Sequence, residues 1–116
     1  MGEGDIEMRA FDITTITHQQ VAGGKPYLEF LRESSLSVGL YVLPAGSVDG
    51  QSPHTEDEVY YVVSGRGRFT SGGEDVAVQA GSILFVPAHE DHRFHTIAED
   101  LHILVVFAPA EYSLKK

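Results

Sequence analysis

His54 and Glu58 stand four residues apart in the stretch GSVDGQSPHTEDEVYYVVSG, residues 46–65. Pro44, Ala45 and Gly46 read as a turn before it, and Ser64-Gly65 reads as a turn at its end. Between them, residues 59–63 form an unbroken apolar run rich in Val and Tyr, the pattern of a strand. Side chains four apart in a strand share a face. The imidazole and the carboxylate therefore converge on one point, an arrangement that suits a divalent metal. The same HTEDE sequence also suits the solvated start of a surface strand, because structural ion networks use the same residues. A further histidine from the second half of the chain would separate the two readings.

The elements that must position this pair read as strands. Residues 8–17 (MRAFDITTIT) are β-branched and aromatic and give a first strand. Residues 18–26 hold Gly23-Gly24 and Pro26 and read as a loop, with His18 on the surface. Residues 27–33 form a second strand. Leu36, Val38, Leu40 and Val42 alternate with Ser37, Gly39, Tyr41 and Leu43, as in a half-buried strand. Residues 66–71 alternate again, and Gly72-Gly73 marks a tight hairpin before residues 74–79. Ala80-Gly81 is a turn, 82–86 a short apolar strand and 87–91 a loop. Residues 92–97 and 101–107 read as two strands separated by AlaGluAsp. In the last of them Leu101, Ile103, Val105 and Phe107 share one face; His102, Leu104 and Val106 share the other. No segment of 10 or more residues shows a helical period. Short strands between turn signals mean an all-β sandwich or barrel.

Composition agrees with one soluble domain over residues 1–116, with 1–7 as a lead-in without structure. Hydrophobic content is 42% and charged content 22%, ordinary for a globular protein. Seventeen acidic against eight basic residues give a net charge of −9, which argues against nucleic acid or an anionic membrane as partner. Without cysteine, neither thiolate ligands nor disulfides are available, which suits a cytoplasmic setting. No stretch has the length of a membrane span, and the N-terminus lacks a signal pattern.

Residues 81–96, GSILFVPAHEDHRFHT, make a specific resemblance visible. The chain resembles a small single-domain cupin over residues 36–108. In that family's first motif, G-x5-H-x-H-x3/4-E-x6-G, Gly46, His54, Glu58 and Gly65 fill four slots. In the second, G-x5-P-x-G-x2-H-x3-N, Gly81, Pro87 and His92 fill three. Fifteen residues, 66–80, separate the motifs. Ser52 stands where the first histidine belongs, His89 replaces the second motif's glycine and Thr96 its asparagine. The resemblance implies a double-stranded β-helix, or jelly-roll barrel, with the site inside. It also implies His54, Glu58 and His92 as ligands of one divalent ion: Fe, Mn, Ni, Co or Zn. Two histidines and one carboxylate match the set that leaves open positions on Fe(II). The missing histidine leaves a position to water or substrate, or to a neighbour: Gln51, or Glu56, which alternation places on the ligand face. Tyr60 shares the face of Glu58 and is a candidate pocket residue. His95, three on from His92, points to the opposite face; His89 belongs to the rim, and His102 to a core or interface.

Three functions fit these residues. One is a metal-dependent enzyme on a small organic substrate: a dioxygenase, decarboxylase or isomerase. Another is a non-catalytic module that binds or senses a small ligand. The third is a cupin without metal. A cation held by one carboxylate keeps positive charge, so the expected ligand is a small chelating anion. The resemblance also implies a homodimer, for which residues 8–17 offer an edge strand.

Overall fold

A computed structural model describes residues 8–51 and 53–115 of the protein. One helix, α1 (Ile13–Gly23), precedes six strands: β1 (Tyr27–Arg32), β2 (Ser37–Leu43), β3 (Asp57–Ser71), β4 (Glu74–Gln79), β5 (Ile83–Val86) and β6 (His92–Ala108). All pairings are antiparallel, in the order β1-β2-β6-β3-β4, with β5 also on β3. This is the jelly roll that the resemblance implies, within the all-β class expected from the strand pattern. The expected lead-in, residues 1–7, lies outside the described residues, as does Ser52.

The first strand is a correction: residues 8–12 are irregular, and 13–17 begin a helix that runs on to Gly23, into the expected loop at 18–26. Asp12 caps it by accepting the N–H groups of Thr14 at 2.8 Å and Thr15 at 3.3 Å. Gly24, at φ 73°, closes it by donating to the carbonyls of Gln20 and Val21. Thr17 donates its hydroxyl to the Ile13 carbonyl, which lets a β-branched residue sit in a helix. Ile16 is the buried residue of this helix. So thin an apolar stripe leaves no period to read, and the signal lies in the capping residues instead.

The second correction concerns length. Ser64-Gly65 is not a turn, and AlaGluAsp at 98–100 does not break a strand. β3 and β6 run through both places as strands of 15 and 17 residues. Their pairing shifts register three times between Val62 and Arg68. Gly65 has φ 99°, and a Cβ there would stand 2.1 Å from the Asp100 carbonyl oxygen. Only glycine permits that approach. Bulges bend the ribbon, and the bend has a measurable consequence. Glu58 pairs with Phe107, whereas His92 pairs with Ser71. Thirteen steps of straight strand from 58 to 71 would span about 43 Å at ~3.3 Å each. His92 nevertheless comes within 2.9 Å of Glu58. The ribbon folds back on itself and encloses the interior.

The remaining elements follow the sequence. The Gly72-Gly73 hairpin has φ 57° and 82°, the left-handed pair that matches strand twist. Leu101, Ile103, Val105 and Phe107 face the core, against Tyr60, Val62, Phe69 and Phe94. Leu40 and Ile16 are buried but belong to no part of that core. They seal α1 onto the outer face of β1 and β2, which it contacts.

Candidate metal centre

The three expected ligands come from the loop before β3, from β3 itself and from β6. His54 lies in the loop before β3, where its carbonyl accepts the N–H of His89 at 2.7 Å. Glu58 is the second residue of β3 and faces inward with Tyr60 and Val62. His92 opens β6. All three are buried. One donor atom from each lies within 4.8 Å of the others. Glu58 Oε1 is 3.4 Å from His54 Nδ1 and 2.9 Å from His92 Nε2.

These contacts are close without being hydrogen bonds. His54 Nδ1, His92 Nε2 and both Glu58 oxygens are buried with no aligned partner. Leaving a buried polar atom unpaired costs about 1–3 kcal/mol, more when it is charged. One such donor from each of the three residues, drawn together, fits a divalent cation that takes imidazole and carboxylate together. The electrostatics point the same way. Burial opposes charge on His54, but Glu111 and Glu58 carry its pKa up to about 9. Burial likewise opposes charge on His92, and Glu58 with the Glu90 carbonyl raises it. Burial would raise Glu58, yet His54 and His92 hold it below the usual carboxylate range. The pocket therefore asks for positive charge beside Glu58, as protons or as metal.

The second tier of expectations divides. Tyr60 is fully buried and lines the neighbouring cavity, and its hydroxyl donates to Gln51 Oε1 at 3.2 Å. Gln51 lines the same cavity and donates its amide to Asp49 at 2.9 Å. Glu56 is a correction: it is buried but stands outside the convergent set. Its carboxylate accepts Tyr112 N–H at 2.8 Å, Leu114 N–H at 3.0 Å and the Thr55 hydroxyl. Residues 54–56 precede β3, so strand alternation does not aim them. Ser52 lies outside the described residues. His95 faces outward, His89 and His18 are exposed, and His102 is half-buried on the outer face.

Three contributors were invisible in the sequence. Glu111, beyond β6, places Oε2 3.1 Å from His54 Nε2. Asp49 is buried and accepts from Phe94 N–H, the Tyr41 hydroxyl and Gln51, which ties the loop before His54 to β6. A Cβ on Gly39 would meet the Tyr27 ring at 2.2 Å, so this glycine seats the ring. Tyr27, Tyr41, Tyr60, His54, Glu111 and Lys25 border a cavity of about 520 Å³. Burial pushes the phenols of Tyr27, Tyr41 and Tyr60 up, so all three stay neutral. His54 and Tyr60 form the cavity's boundary with the cluster; Glu58 and His92 lie behind them.

Residues 39–107 match the cupin domain family. The chain belongs to the cupins. An uncharacterized protein of Streptomyces coelicolor is 51% identical over 104 residues, 90% of this chain and 99% of its own. The oxalate-binding protein of Thermotoga maritima is 30% identical over 117 aligned positions, covering 91% of this chain and 97% of its own. Among solved structures, an RmlC-like cupin of Shewanella frigidimarina superposes with a TM-score of 0.65 at 24% identity. The match spans 72% of this cupin and 75% of that chain. The structural likeness speaks for the fold alone. No helix among the described residues is long and apolar enough to cross a membrane.

Proposed function

We propose that this cupin holds one divalent metal through His54, Glu58 and His92 and binds a small chelating anion beside it. The observation that carries the reading is the convergence of three buried residues, each offering one donor atom, whose facing atoms have no aligned partner. A bound cation would supply Lewis acidity and a template for the ligand. This chain's own residues do the rest. Val105, Phe107 and the ring of Tyr60 wall the cavity and keep it largely apolar, which strengthens polar contacts inside it. A divalent cation with Glu58 alone leaves about one positive charge. Glu111 cancels it, and Lys25 at the cavity rim restores it. That balance, with an oxalate-binding relative, supports an anion with one end at the metal and the other toward Lys25. Two imidazoles and one carboxylate are also the donor set of Fe(II) oxygenases, which supports catalysis on that anion as the second reading. Metal analysis of the protein, followed by calorimetric titration with chelating acids and neutral sugars, tests both. Stoichiometric metal and metal-dependent anion binding are expected. Anion binding that is equal with and without metal would refute the proposal. Turnover of the bound acid under oxygen would move the assignment from binding to oxygenase.

We also propose a homodimer, on ground other than the lost strand at 8–17. Two rows of side chains cross five strands in register on the outer face. One runs Ile83, Tyr61, Leu104, Leu40, Leu28; the other runs Phe85, Val59, Val106, Val38, Leu31. Helix α1 covers one end, where Leu40 is buried, but Ile83 and Phe85 remain 70% and 63% exposed. Neither row holds a charge, whereas the chain carries −9. Pairing two copies there buries apolar surface and keeps like charges outside the contact. A standard interface needs about 800 Å² per partner, with an apolar centre of this kind. Sedimentation should show a dimer that Phe85→Glu converts to monomer; a monomeric wild type at micromolar concentration would refute it.

A further inference from the structure

Both histidines turn one ring nitrogen into the cluster and one away from it. His92 settles its outer nitrogen on backbone: Nδ1 lies 2.8 Å from the Glu90 carbonyl oxygen. That leaves Nε2 free to face Glu58. His54 has the opposite polarity. Its Nδ1 faces Glu58, and its outer Nε2 lies 3.1 Å from Glu111 Oε2.

The turn that carries Glu111 is firmly built. Glu111 N–H donates to Ser37 Oγ at 2.9 Å, and Arg32 donates to the Glu111 carbonyl at 2.8 Å. Glu56 accepts the next two available N–H groups, from Tyr112 and Leu114. Ser37, Glu56 and Glu111 are all buried. These anchors use the backbone of residues 111–114, so the Glu111 side chain is left for another purpose. It turns to His54, and the Tyr112 phenol also lies near it.

We propose that Glu111 is the positioning residue of the metal centre, fixing His54 with Nε2–H donated outward and the Nδ1 lone pair turned to the metal. This rests on the metal-binding reading above. An ionised carboxylate can only accept, so the ring nitrogen facing it carries the hydrogen. A neutral imidazole has one hydrogen, so the other nitrogen must then present its lone pair. Metal-bound histidines generally hand their second N–H to a carboxylate or carbonyl in this way, and losing that partner weakens metal binding. Here the partner comes from the chain end, 53 residues beyond Glu58, so the segment after β6 belongs to the site.

Zn(II) serves as a diamagnetic probe. Its affinity is read by chelator competition, and the His54 tautomer by ¹⁵N-histidine NMR of the loaded protein. The wild type should show His54 metallated at Nδ1 and protonated at Nε2. Glu111→Ala should lose roughly 10–100-fold in affinity and lose that single tautomer signature. Glu111→Gln keeps an acceptor oxygen and should restore both nearly to the wild type. Circular dichroism should change little in either variant, because the turn's anchors are backbone ones. Unchanged Zn affinity and an unchanged tautomer in Glu111→Ala would overturn the proposal. So would Glu111→Gln behaving as badly as Glu111→Ala, which would make Glu111 a direct ligand. A wild type that binds no Zn would strike the metal reading itself, and the wild-type arm alone reveals that.

Discussion

His92 and His95 lie three residues apart in the same strand, and each faces a carboxylate. On the inner face, His92 approaches Glu58, and the donor atoms there have no aligned partner. On the outer face, His95 Nε2 is 2.7 Å from Asp75 and 2.9 Å from Thr70, and its Nδ1 meets Thr96. Arg68 completes the outer group at 2.8 Å from Asp75. Residue types and distances are alike in the two places. What differs is satisfaction: the outer group is a closed, solvated network, whereas the inner one is buried and incomplete. A cluster of His and carboxylate is therefore no site by itself. A buried cluster whose donor atoms converge without aligned partners is a candidate for one.

The largest expected effect tests that contrast directly. Glu58→Ala or His92→Ala should abolish stoichiometric metal, measured by elemental analysis after purification in excess metal. His95→Ala should leave stoichiometry unchanged. Full occupancy in the inner variants, or loss in His95→Ala, would break the distinction.

The inner cluster should also respond to pH with a definite sign. In the metal-free protein His54 titrates near 9, against an unfolded value of 6.5. Its contribution is therefore complete below about pH 6.5 and is lost as pH rises through about 9. The size is at most about 3 kcal/mol, because a tenfold change in proton affinity is worth about 1.36 kcal/mol. Urea unfolding of metal-free protein should show the fall between those limits, and His54→Gln should flatten it. Metal binding has the opposite sense, since the same protons must leave. Zn affinity should rise from pH 6 to pH 9. Metal-free stability that climbs over that range would contradict the arrangement.

A middle-sized effect lies in the cavity wall. Gly39→Ala forces a methyl group into the Tyr27 ring, 2.2 Å from its ideal Cβ. Overpacking of this kind costs about 1–3 kcal/mol. Gly73→Ala supplies a contrast, because nothing lies within 4 Å of its Cβ and only backbone strain at φ 82° is added. Chemical denaturation measures both. The ligand-binding enthalpy should change for Gly39→Ala alone, since Tyr27 borders the cavity and Gly73 does not.

How much of the molecule is legible in its sequence follows from the range of each interaction. His54 and Glu58 can be read because they are four residues apart in the sequence, although His54 sits in the loop before β3 and strand alternation does not aim it. His92 needs the family's second motif, since only the bend of β3 and β6 brings it close. That bend looks like two breaks: Gly65 has the composition of a turn, and only the paired strand shows it to be a bulge. Helix α1 looks like a strand because ITTIT has strand propensity, and its decisive groups, Asp12 and Gly24, act at the ends. Glu111 carries no local signal at all. Its role depends on Ser37, Arg32 and Glu56, which are distant in sequence, and on a turn that follows the last strand. Glu56 errs in the other direction: alternation aims it at the ligands, but two N–H groups of the chain end claim it.

The smallest effect belongs to the outer network and sharpens the contrast from its other side. Arg68 first, then His95 and Thr70, hold Asp75 down to about 2, from an ordinary 3.8. A depressed carboxylate stabilises the fold above its unfolded value and loses that contribution as pH falls toward its folded one. Asp75→Asn should therefore be slightly less stable than the wild type at pH 5. The gap should close between about pH 4 and pH 2. Asp75 is on the surface, so salt should shrink the gap as well; the screening length is only ~3 Å at 1 M. Urea midpoints for the two proteins across pH 2–5, at low and high salt, measure it. Metal stoichiometry of Asp75→Asn, taken at pH 7, should equal that of the wild type. A gap that persists at pH 2 and in 1 M salt would mean that Asp75 supports the fold by packing rather than charge. Lost metal would mean that the two faces of β6 are coupled, and that the outer network also positions His92.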